Sequence, residues 1–269
     1  MSDEKELAYR YDLFIAPDWR NRFDDLITKH IKLPLEGRIL DLNCGTGGYT
    51  IEVAEGLRGK GEMVGVDSDA ERLEIARAKA QVKRVSNVTF EQSLPYDLRF
   101  ESEEFDLVIG DASLLPWDEA EDVLSEMVRV TEPGGRVVLK IATYGSFGEF
   151  FSIFWEALHD LEMDEDVWTD LQSLIDAQPT VSDTELLAKK AGLRQVLSFS
   201  SKEDFPFGSG DEFVESPLIK DLFLNGWLEI VPEDQRQPVY DRIVEIIERE
   251  RVEAPFEVSI KATVISGVK

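Results

Sequence analysis

The chain has 269 residues, 43% of them hydrophobic, which is enough to bury a sizeable core, and we expect one α/β core with an elaboration. Its 55 acidic and 29 basic residues give a formal net charge of -26, and such a surface disfavours nucleic acid and anionic membranes as partners. One cysteine, Cys44, excludes an internal disulfide, while the lack of a secretion signal or of an apolar run of about 18 residues predicts a cytoplasmic protein without a membrane span.

The first half of the chain alternates apolar runs with helical patterns. Five runs are predicted as strands, over 38–43, 62–67, 87–92, 105–111 and 136–143. Apolar residues at helical spacing lie between them, over 48–58, 68–83 and 120–135. Because strands that alternate with helices form parallel βαβ units, the sequence predicts an open, doubly wound α/β sheet.

After Thr143 this alternation stops. Helical patterns over 147–163 and 167–177 follow one another without a strand between them. Ser182 is then predicted to cap a helix, with Glu185 as its capping-box partner, and 194–201 is predicted as the sixth strand. A second helical insertion precedes an alternating run over 256–268, which we expect to close the sheet as the seventh strand.

The stretch ILDLNCGTGG, residues 39–48, runs from a strand through glycine into a helix. Such a turn presents the unpaired amides of a helix N-terminus to an anion or a dipole. Gly45 and Gly47 fit the first two glycines of G-x-G-x-x-G, but Thr50 replaces the third, which counts against a dinucleotide. No G-K-[ST] follows, which counts against an ATP phosphate loop.

Asp67 ends the second predicted strand, 22 positions after Gly45. A carboxylate at this place in a βαβ unit can accept both hydroxyls of a ribose, and a helix cap or a surface acid is the alternative interpretation. Together, Asp67 and the glycine turn suggest an adenosine that is joined to something small and zwitterionic instead of to phosphates.

Four stretches resemble, in order and spacing, the motifs of the class I S-adenosylmethionine-dependent methyltransferases: LDLNCGTGG, GVDSD, FDLVIGDASLL and EPGGRVVLKI. The stretch 9–26 is similar to the N-terminal helix of the ubiquinone and menaquinone biosynthesis group. The resemblance implies a Rossmann-like, mostly parallel seven-stranded sheet, S-adenosyl-L-methionine as cofactor and methylation of a small-molecule acceptor. A non-catalytic or regulatory protein of the same fold and a nucleotide-dependent oxidoreductase stay open as alternatives.

The resemblance also implies a division of the chain in which added helices form a cap on a cofactor-binding core. The predicted segments are an N-terminal helical cap segment over 1–37, the cofactor-binding core over 38–146, a helical insertion over 147–181, a core helix and strand over 182–203, a helical lid over 204–254 and a final core strand over 255–269. The first insertion carries an aromatic run that is expected either in the core or at an acceptor pocket: Phe147, Phe150, Phe151, Phe154 and Trp155. The second insertion, around Phe213, Phe223 and Trp227, is expected to pack as a lid over the mouth of that pocket.

The cofactor site that the resemblance implies has three parts. The methionine part would be surrounded by Asp41, Asn43, Cys44, Gly45, Thr46 and Gly47, with Asp111 and Ala112 beside it and Tyr11 reaching its carboxylate. Asp67 would bind the ribose, and Ser68, Ser93 and Leu94 would lie at the adenine.

The sequence departs from the family at two of these positions. Asn43 replaces a usual glycine, which is tolerable because asparagine enters the left-handed region more readily than most residues. Leu94 replaces an acid that commonly meets the adenine amino group. No general base is identified, since for Asp111 a positioning role is preferred to proton abstraction. The stretch LKIATYG lacks the acidic pair of metal-dependent members, so no catalytic metal is expected.

Overall fold

The computed structural model describes residues 3–250 and 255–269. The first two residues of the predicted segment 1–37 and the last four of 204–254 lie outside the described residues. Seven strands form one sheet: β1 (Gly37–Leu42), β2 (Gly61–Asp67), β3 (Val88–Gln92), β4 (Phe105–Asp111), β5 (Thr131–Thr143), β6 (Arg194–Phe207) and β7 (Phe256–Val268). Their order across the sheet is β3-β2-β1-β4-β5-β7-β6.

The sheet is parallel from β3 to β5 and antiparallel at β7. Parallel pairs join β2 to β3, β1 to β2, β1 to β4 and β4 to β5. Near the end of β7, Lys269 exchanges backbone hydrogen bonds with Gly134 and Gly135, and Arg136 Nη1 donates to Ser266 Oγ, so β7 runs against β5. The prediction of a doubly wound, mostly parallel seven-stranded sheet is confirmed. Because strand order reverses between β1 and β4, their carboxyl ends flank the place where such sheets bind ligands.

Helices flank the strands as the alternating pattern predicts. Within the described ranges the α-helices are α1 (Asp3–Arg10), α2 (Asn21–His30), α3 (Gly48–Gly56), α4 (Ala70–Lys83), α5 (Ala120–Val130), α6 (Gly148–Asp160), α7 (Asp164–Asp176), α8 (Val181–Lys190), α9 (Gly210–Glu215), α10 (Pro217–Ile219), α11 (Asn225–Leu228) and α12 (Arg236–Glu250). A π-helical segment, Tyr11–Arg20, joins α1 to α2 and contains Pro17. None of the helices described here combines the length and the apolar character that a bilayer crossing requires.

Two boundaries differ from the sequence prediction. Thr180, not Ser182, caps α8: its Oγ1 accepts from the Asp183 amide at 3.1 Å, and its own amide donates to Asp183 Oδ2 at 3.0 Å. The predicted cap at Ser182 is therefore wrong by two residues. Strand β5 begins at Thr131 instead of residue 136, because an irregularity in its register with β4 absorbs the Pro-Gly-Gly stretch that was predicted to end a helix.

The chain divides into two compact units. The first comprises Met1–Ala142, Thr180–Ser201 and Ala262–Lys269. Its core packs the apolar faces of β1, β2, β4 and β5 against α5, with Leu40, Val64, Val108, Leu139, Val123, Leu124 and Met127 all at most 3% exposed. These contacts fix the strands whose carboxyl ends carry the predicted site.

The second unit comprises Thr143–Pro179 and Lys202–Lys261. Its centre is an aromatic cluster in which Trp227 stacks on Phe150, with ring centroids 4.2 Å apart. Phe150, Phe154 and Phe213 are fully buried in it. Phe150 and Phe154 of the predicted aromatic run are thus core residues, as is Phe213 of the second insertion, whereas Trp155 is 40% exposed.

Candidate functional site

The turn after β1 holds three residues in left-handed backbone. Asn43, Gly45 and Gly47 have φ angles of 56°, 59° and 73°. Asparagine tolerates this region better than most residues, and Asn43 Nδ2 donates to the carbonyl oxygen of Asp111 at 2.8 Å. Asparagine in place of the usual glycine at position 43 therefore costs little backbone strain. Its side chain also links the carboxyl ends of β1 and β4.

Cys44 lies in this turn and is buried. Its amide donates to the carbonyl oxygen of Val66 at 2.8 Å, which joins the turn to β2. Burial, reinforced by the negative charge of Asp67, raises the pKa of the Cys44 thiol well above its ordinary value. A thiol that stays protonated is a poor nucleophile, so the geometry favours a lining role.

The Asp67 carboxylate holds the turn in place. Its Oδ2 accepts from the amide of Gly45 at 2.7 Å and its Oδ1 from the amide of Asp69 at 3.0 Å, and the residue is 4% exposed. Asp69, in turn, caps α4 by accepting from the amides of Glu71 and Arg72. Each Asp67 oxygen keeps a second lone pair, so the carboxylate can accept further hydrogen bonds while it supports the turn.

A cavity of about 620 Å³ opens beside the end of β2. Ser68, Ser93 and Leu94, the residues predicted at the adenine, all line it. Ser93 Oγ donates to the carbonyl oxygen of Asp97 at 2.7 Å, and Leu94 is 46% exposed. The cavity has room for a nucleobase, and at Leu94 its wall is apolar where the family commonly has an acid.

Asp111 ends β4 with both carboxylate oxygens buried. Its Oδ1 accepts from the amide of Ser113 at 3.0 Å and from Ser113 Oγ at 2.5 Å. Its Oδ2 lies 3.2 Å from Arg20 Nη1 and 3.5 Å from Lys140 Nζ. Burial acts to raise the pKa of Asp111, but Lys140 and Arg20, together with the hydrogen bonds from Ser113, hold that pKa below its usual value. The group is therefore an ionised carboxylate, and Ala112 follows it as a buried residue.

The π-helical segment brings Tyr11 and Arg20 over the turn. Arg20 Nη1 donates to the carbonyl oxygen of Asn43 at 2.6 Å and to the Tyr11 hydroxyl at 3.4 Å. A Cβ atom on Gly45 would lie 3.0 Å from the Tyr11 ring, so a side chain there would require the ring to move by a few tenths of an ångström. The guanidinium of Arg72 lies over the Tyr11 ring, 4.0 Å from its centroid.

Thr46 anchors the start of the same segment, next to Tyr11. Its Oγ1 donates to Asp12 Oδ1 at 2.5 Å, and Lys79 Nζ of α4 pairs with the same carboxylate. The segment is thereby attached to the turn near both of its ends, through Asp12 and through Arg20.

Lys140 and Asp24 form a buried ion pair behind Asp111. Lys140 Nζ lies 2.8 Å from Asp24 Oδ1, and the lysine side chain is fully buried in the middle of β5. Burial alone would lower the pKa of Lys140, but Asp24 and Asp111 raise it above its usual value, so the lysine stays charged. Asp41, also buried, accepts from Thr50 Oγ1 at 2.6 Å.

The sequence predictions omitted Arg20, Asp24 and Lys140. Lys140 leaves a signal, since it is a lysine inside the apolar run VVLKIAT, and a buried lysine needs a partner. Arg20 and Asp24 leave none, because their partners are far away in sequence.

The comparisons with known proteins agree with this arrangement. The family model described as "Methyltransferase domain" matches residues 36–176. The demethylmenaquinone methyltransferase of Lactococcus lactis is 40% identical over 100 residues, which cover 37% of this chain and 40% of that protein. The corresponding enzyme of Lactiplantibacillus plantarum is 35% identical over 109 residues, covering 40% of this chain and 46% of that protein. The chain thus matches less than half the length of these relatives.

Solved structures resemble the fold over nearly the whole chain. The YcgJ protein of Bacillus subtilis has a TM-score of 0.59 at 18% identity, with 93% of this chain and 98% of that chain covered. Phosphoethanolamine N-methyltransferase 2 of Haemonchus contortus, solved with S-adenosyl-L-methionine, has a TM-score of 0.55 at 18% identity, with 97% and 56% covered. Together with the family model, which spans the glycine turn, Asp67 and Asp111, these likenesses confirm the resemblance found in the sequence, and the chain belongs to the methyltransferase domain family.

Proposed function

We propose that the chain is an S-adenosyl-L-methionine-dependent methyltransferase that acts on a small-molecule acceptor. Membership of the methyltransferase domain family supports this activity, and the turn, Asp67 and Asp111 give it a site. The observation that carries the proposal is that one buried atom on each of two charged side chains beside the turn has no hydrogen-bond partner. Within the part of the chain that the structure describes, Arg20 Nη2 donates no hydrogen bond and Asp41 Oδ1 accepts none, although both atoms are buried.

Buried charged atoms are almost always paired in folded proteins, so this pair calls for a ligand. Arg20 supplies donors for a carboxylate, and Asp41 an acceptor for an ammonium group. An α-amino acid carries both charges, and the methionine part of the proposed cofactor is one. Arg20 and Asp41 therefore fit the methionine part of the cofactor, which a dinucleotide does not have.

The adenosine end has its own fit. Asp67 keeps a lone pair on each oxygen for a ribose hydroxyl, as its two backbone hydrogen bonds leave one free on each side. Ser68, Ser93 and Leu94 border the cavity next to it, where an adenine would lie. The Leu94 side chain has no polar atom, so we propose that backbone groups of Ser93 and Leu94 recognise the base.

When bound, the cofactor supplies a methyl group that is already attached to a sulfonium leaving group. The protein then has to bind, orient and exclude water, and hard acid-base chemistry is optional. Asp111 suits positioning better than proton abstraction, because its lowered pKa makes it a weak base. Tyr11, whose hydroxyl faces Arg20, is proposed to complete the binding of the carboxylate, and Thr46 and Gly47 to form the floor of the turn.

The small-molecule acceptor is supported by the names of the Lactococcus and Lactiplantibacillus relatives, and the net charge of -26 disfavours nucleic acid. We propose residues 38–146 as the cofactor-binding core and the inserted helices as a cap that selects the acceptor. A cytoplasmic location stays a prediction.

Calorimetry with S-adenosylhomocysteine and with NADH tests the cofactor. We expect saturable binding of S-adenosylhomocysteine and none of NADH, since the turn has no pyrophosphate-binding third glycine. The reverse result would establish the oxidoreductase alternative. Transfer from methyl-labelled cofactor to an acceptor panel that includes demethylmenaquinone, phenols and amines then tests turnover. Tight cofactor binding with no labelled product from any acceptor would favour a non-catalytic protein.

Replacing Arg20 by methionine is expected to weaken S-adenosylhomocysteine binding by roughly 10- to 100-fold. The reason is the loss of charge-assisted hydrogen bonds to the ligand carboxylate, which are worth about 1.5–3 kcal/mol. Arg22→Met is the matched control, because Arg22 lies two positions along and its Nε donates to the carbonyl oxygen of Asp18 at the surface. Calorimetry on both variants, with thermal melts to confirm folding, measures the effect. Equal affinity in Arg20→Met and wild type would remove Arg20 from the site.

A further inference from the structure

The second unit contains a pocket of about 430 Å³ between α6, α7 and the loop that follows β5. From α6 it is lined by Gly148, Phe151, Ser152 and Trp155, at the i, i+3, i+4 and i+7 spacing of one helix face. Trp168, Leu171 and Ile175 line it from α7 with the same periodicity. Two helix faces thus converge on one space, which we call the α6–α7 pocket.

The walls of this pocket carry no charge. Not one lining residue within the described ranges is Asp, Glu, Lys or Arg, in a chain in which these four types make up 31% of residues. Because the rest of the chain is so acidic, the uncharged wall singles out a neutral occupant. A charged molecule would lose its hydration here without gaining a partner.

The serine and glutamine side chains that line the pocket are already hydrogen-bonded within the unit. Ser152 Oγ donates to the carbonyl oxygen of Gly148 at 2.9 Å. Ser146 Oγ donates to the carbonyl oxygen of Thr143 at 2.8 Å, and the amide of Lys261 donates to it at 2.9 Å. Gln178 Oε1 accepts from the amide of Ser146, and its Nε2 donates to the carbonyl oxygen of the same residue. Most of the surface that walls the space is therefore apolar.

Three aromatic side chains stand at the pocket while remaining open to solvent: Tyr144 is 49% exposed, Trp155 40% and Trp168 51%. Aromatic side chains gain free energy when they are buried, and these three do not gain it while they are exposed to solvent. Phe151 and Leu171, both at most 6% exposed, close the inner end. Flat aromatic surface around an apolar floor matches a flat, apolar ring system, and the volume lies in the range of small-molecule sites.

We propose that the α6–α7 pocket binds a neutral small molecule with a flat, apolar ring system. The inference concerns the second unit alone and goes beyond the proposed methyl transfer, which does not enter its argument. The volume of about 430 Å³ favours a small molecule over a protein partner, which would require a larger patch.

Gly148 provides a test that fills the pocket without removing any aromatic wall. A Cβ atom added there meets no atom within 4 Å, and the residue is not in left-handed backbone, so a side chain can enter the open space without strain. Gly226 of α11 shares both properties but does not line the pocket, and it lies in the same unit. Gly148→Leu and Gly226→Leu are therefore matched filling and control variants.

The probe is N-phenyl-1-naphthylamine, a neutral dye with a naphthalene and a phenyl group that fluoresces in apolar surroundings. We expect saturable binding of one dye per wild-type chain, with energy transfer from tryptophan. Binding should weaken by about tenfold or more in Gly148→Leu and stay within about twofold in Gly226→Leu. Trp168→Ala, which truncates an exposed side chain and so spares the core, should also weaken it.

Two results would overturn the proposal. The first is dye binding that is absent, unsaturable or unchanged in both Gly148→Leu and Trp168→Ala. The second is a wild-type dimer in sedimentation that Gly148→Leu converts to a monomer, because a second copy of the chain would then cover the aromatic residues. If Gly148→Leu does not fold, Trp168→Ala alone decides by the same criterion.

Discussion

Replacing Lys140 by methionine is expected to lower the free energy of unfolding by about 3–5 kcal/mol, because it breaks a buried ion pair from one side. Lys140 Nζ lies 2.8 Å from Asp24 Oδ1 and 3.5 Å from Asp111 Oδ2. Methionine fills a similar volume but leaves both carboxylates short of a cation. Arg20 compensates Asp111 in part, so most of the loss falls on Asp24. Urea denaturation measures the change.

Two further variants separate this effect from a general loss of packing. Lys189→Met removes a lysine whose pair with Glu185, at 3.6 Å, is exposed, and it should cost less than about 1 kcal/mol. The double variant Asp24→Leu with Lys140→Met removes both charges and should recover a large part of the stability, as hydrophobic replacements of buried pairs do. A loss in Lys140→Met no larger than in Lys189→Met would mean that the buried pair has no structural role.

The second large effect is expected at Gly47, where alanine should cost about 2–5 kcal/mol. Two causes add. Left-handed backbone disfavours a residue with a side chain by about 1–2 kcal/mol, and Gly47 has a φ of 73°. The new Cβ would also lie 2.8 Å from the Cβ of Ala76 and 2.9 Å from the ring of Phe90, an overlap worth about 1–3 kcal/mol.

Gly59 separates the two causes. Its φ is 76°, nearly that of Gly47, but an added Cβ meets no atom within 4 Å. Gly59→Ala therefore carries only the backbone cost, and the difference between the two variants in chemical denaturation gives the cost of the close approach. Since Gly47 precedes α3 in the turn, Gly47→Ala should also weaken S-adenosylhomocysteine binding, while Gly59→Ala should not. If Gly47→Ala and Gly59→Ala lose equal stability, Ala76 and Phe90 can move to accommodate the new Cβ atom at no cost.

The parts of the site that the sequence predicts are those set by local chain geometry. The turn is predictable from residue type, because Asn43, Gly45 and Gly47 all tolerate left-handed backbone. Asp67 is predictable from its place at the end of β2. The sequence predicts a ribose-binding carboxylate at Asp67. It does not predict the hydrogen bonds that Asp67 accepts from the amides of Gly45 and Asp69, because these bonds require the folded turn. The fold was predictable for the same reason, since each βα unit is encoded by a short stretch.

The remainder depends on contacts between distant stretches. Asp24 and Lys140 are 116 positions apart, so no local pattern joins them. At α8 the difficulty was different, because Thr180-x-x-Asp183 and Ser182-x-x-Glu185 both read as capping boxes and only the packed helix distinguishes them. Strand β5 begins at Thr131, five residues before the predicted start, because an irregularity in its register with β4 accommodates Gly134 and Gly135. From the sequence alone, these glycines predict the end of the preceding helix.

The π-helical winding of Tyr11–Arg20 explains how one short segment supplies two groups to the turn. Nine positions separate Tyr11 and Arg20, and at 3.6 residues per turn an α-helix would point them in opposite directions. The wider i to i+5 winding has roughly 4.4 residues per turn, so nine positions make about two full revolutions and return both side chains to one side. Deleting a single residue from this stretch would turn the guanidinium by roughly 80° relative to the phenol, so the length of the segment sets whether both groups reach the turn.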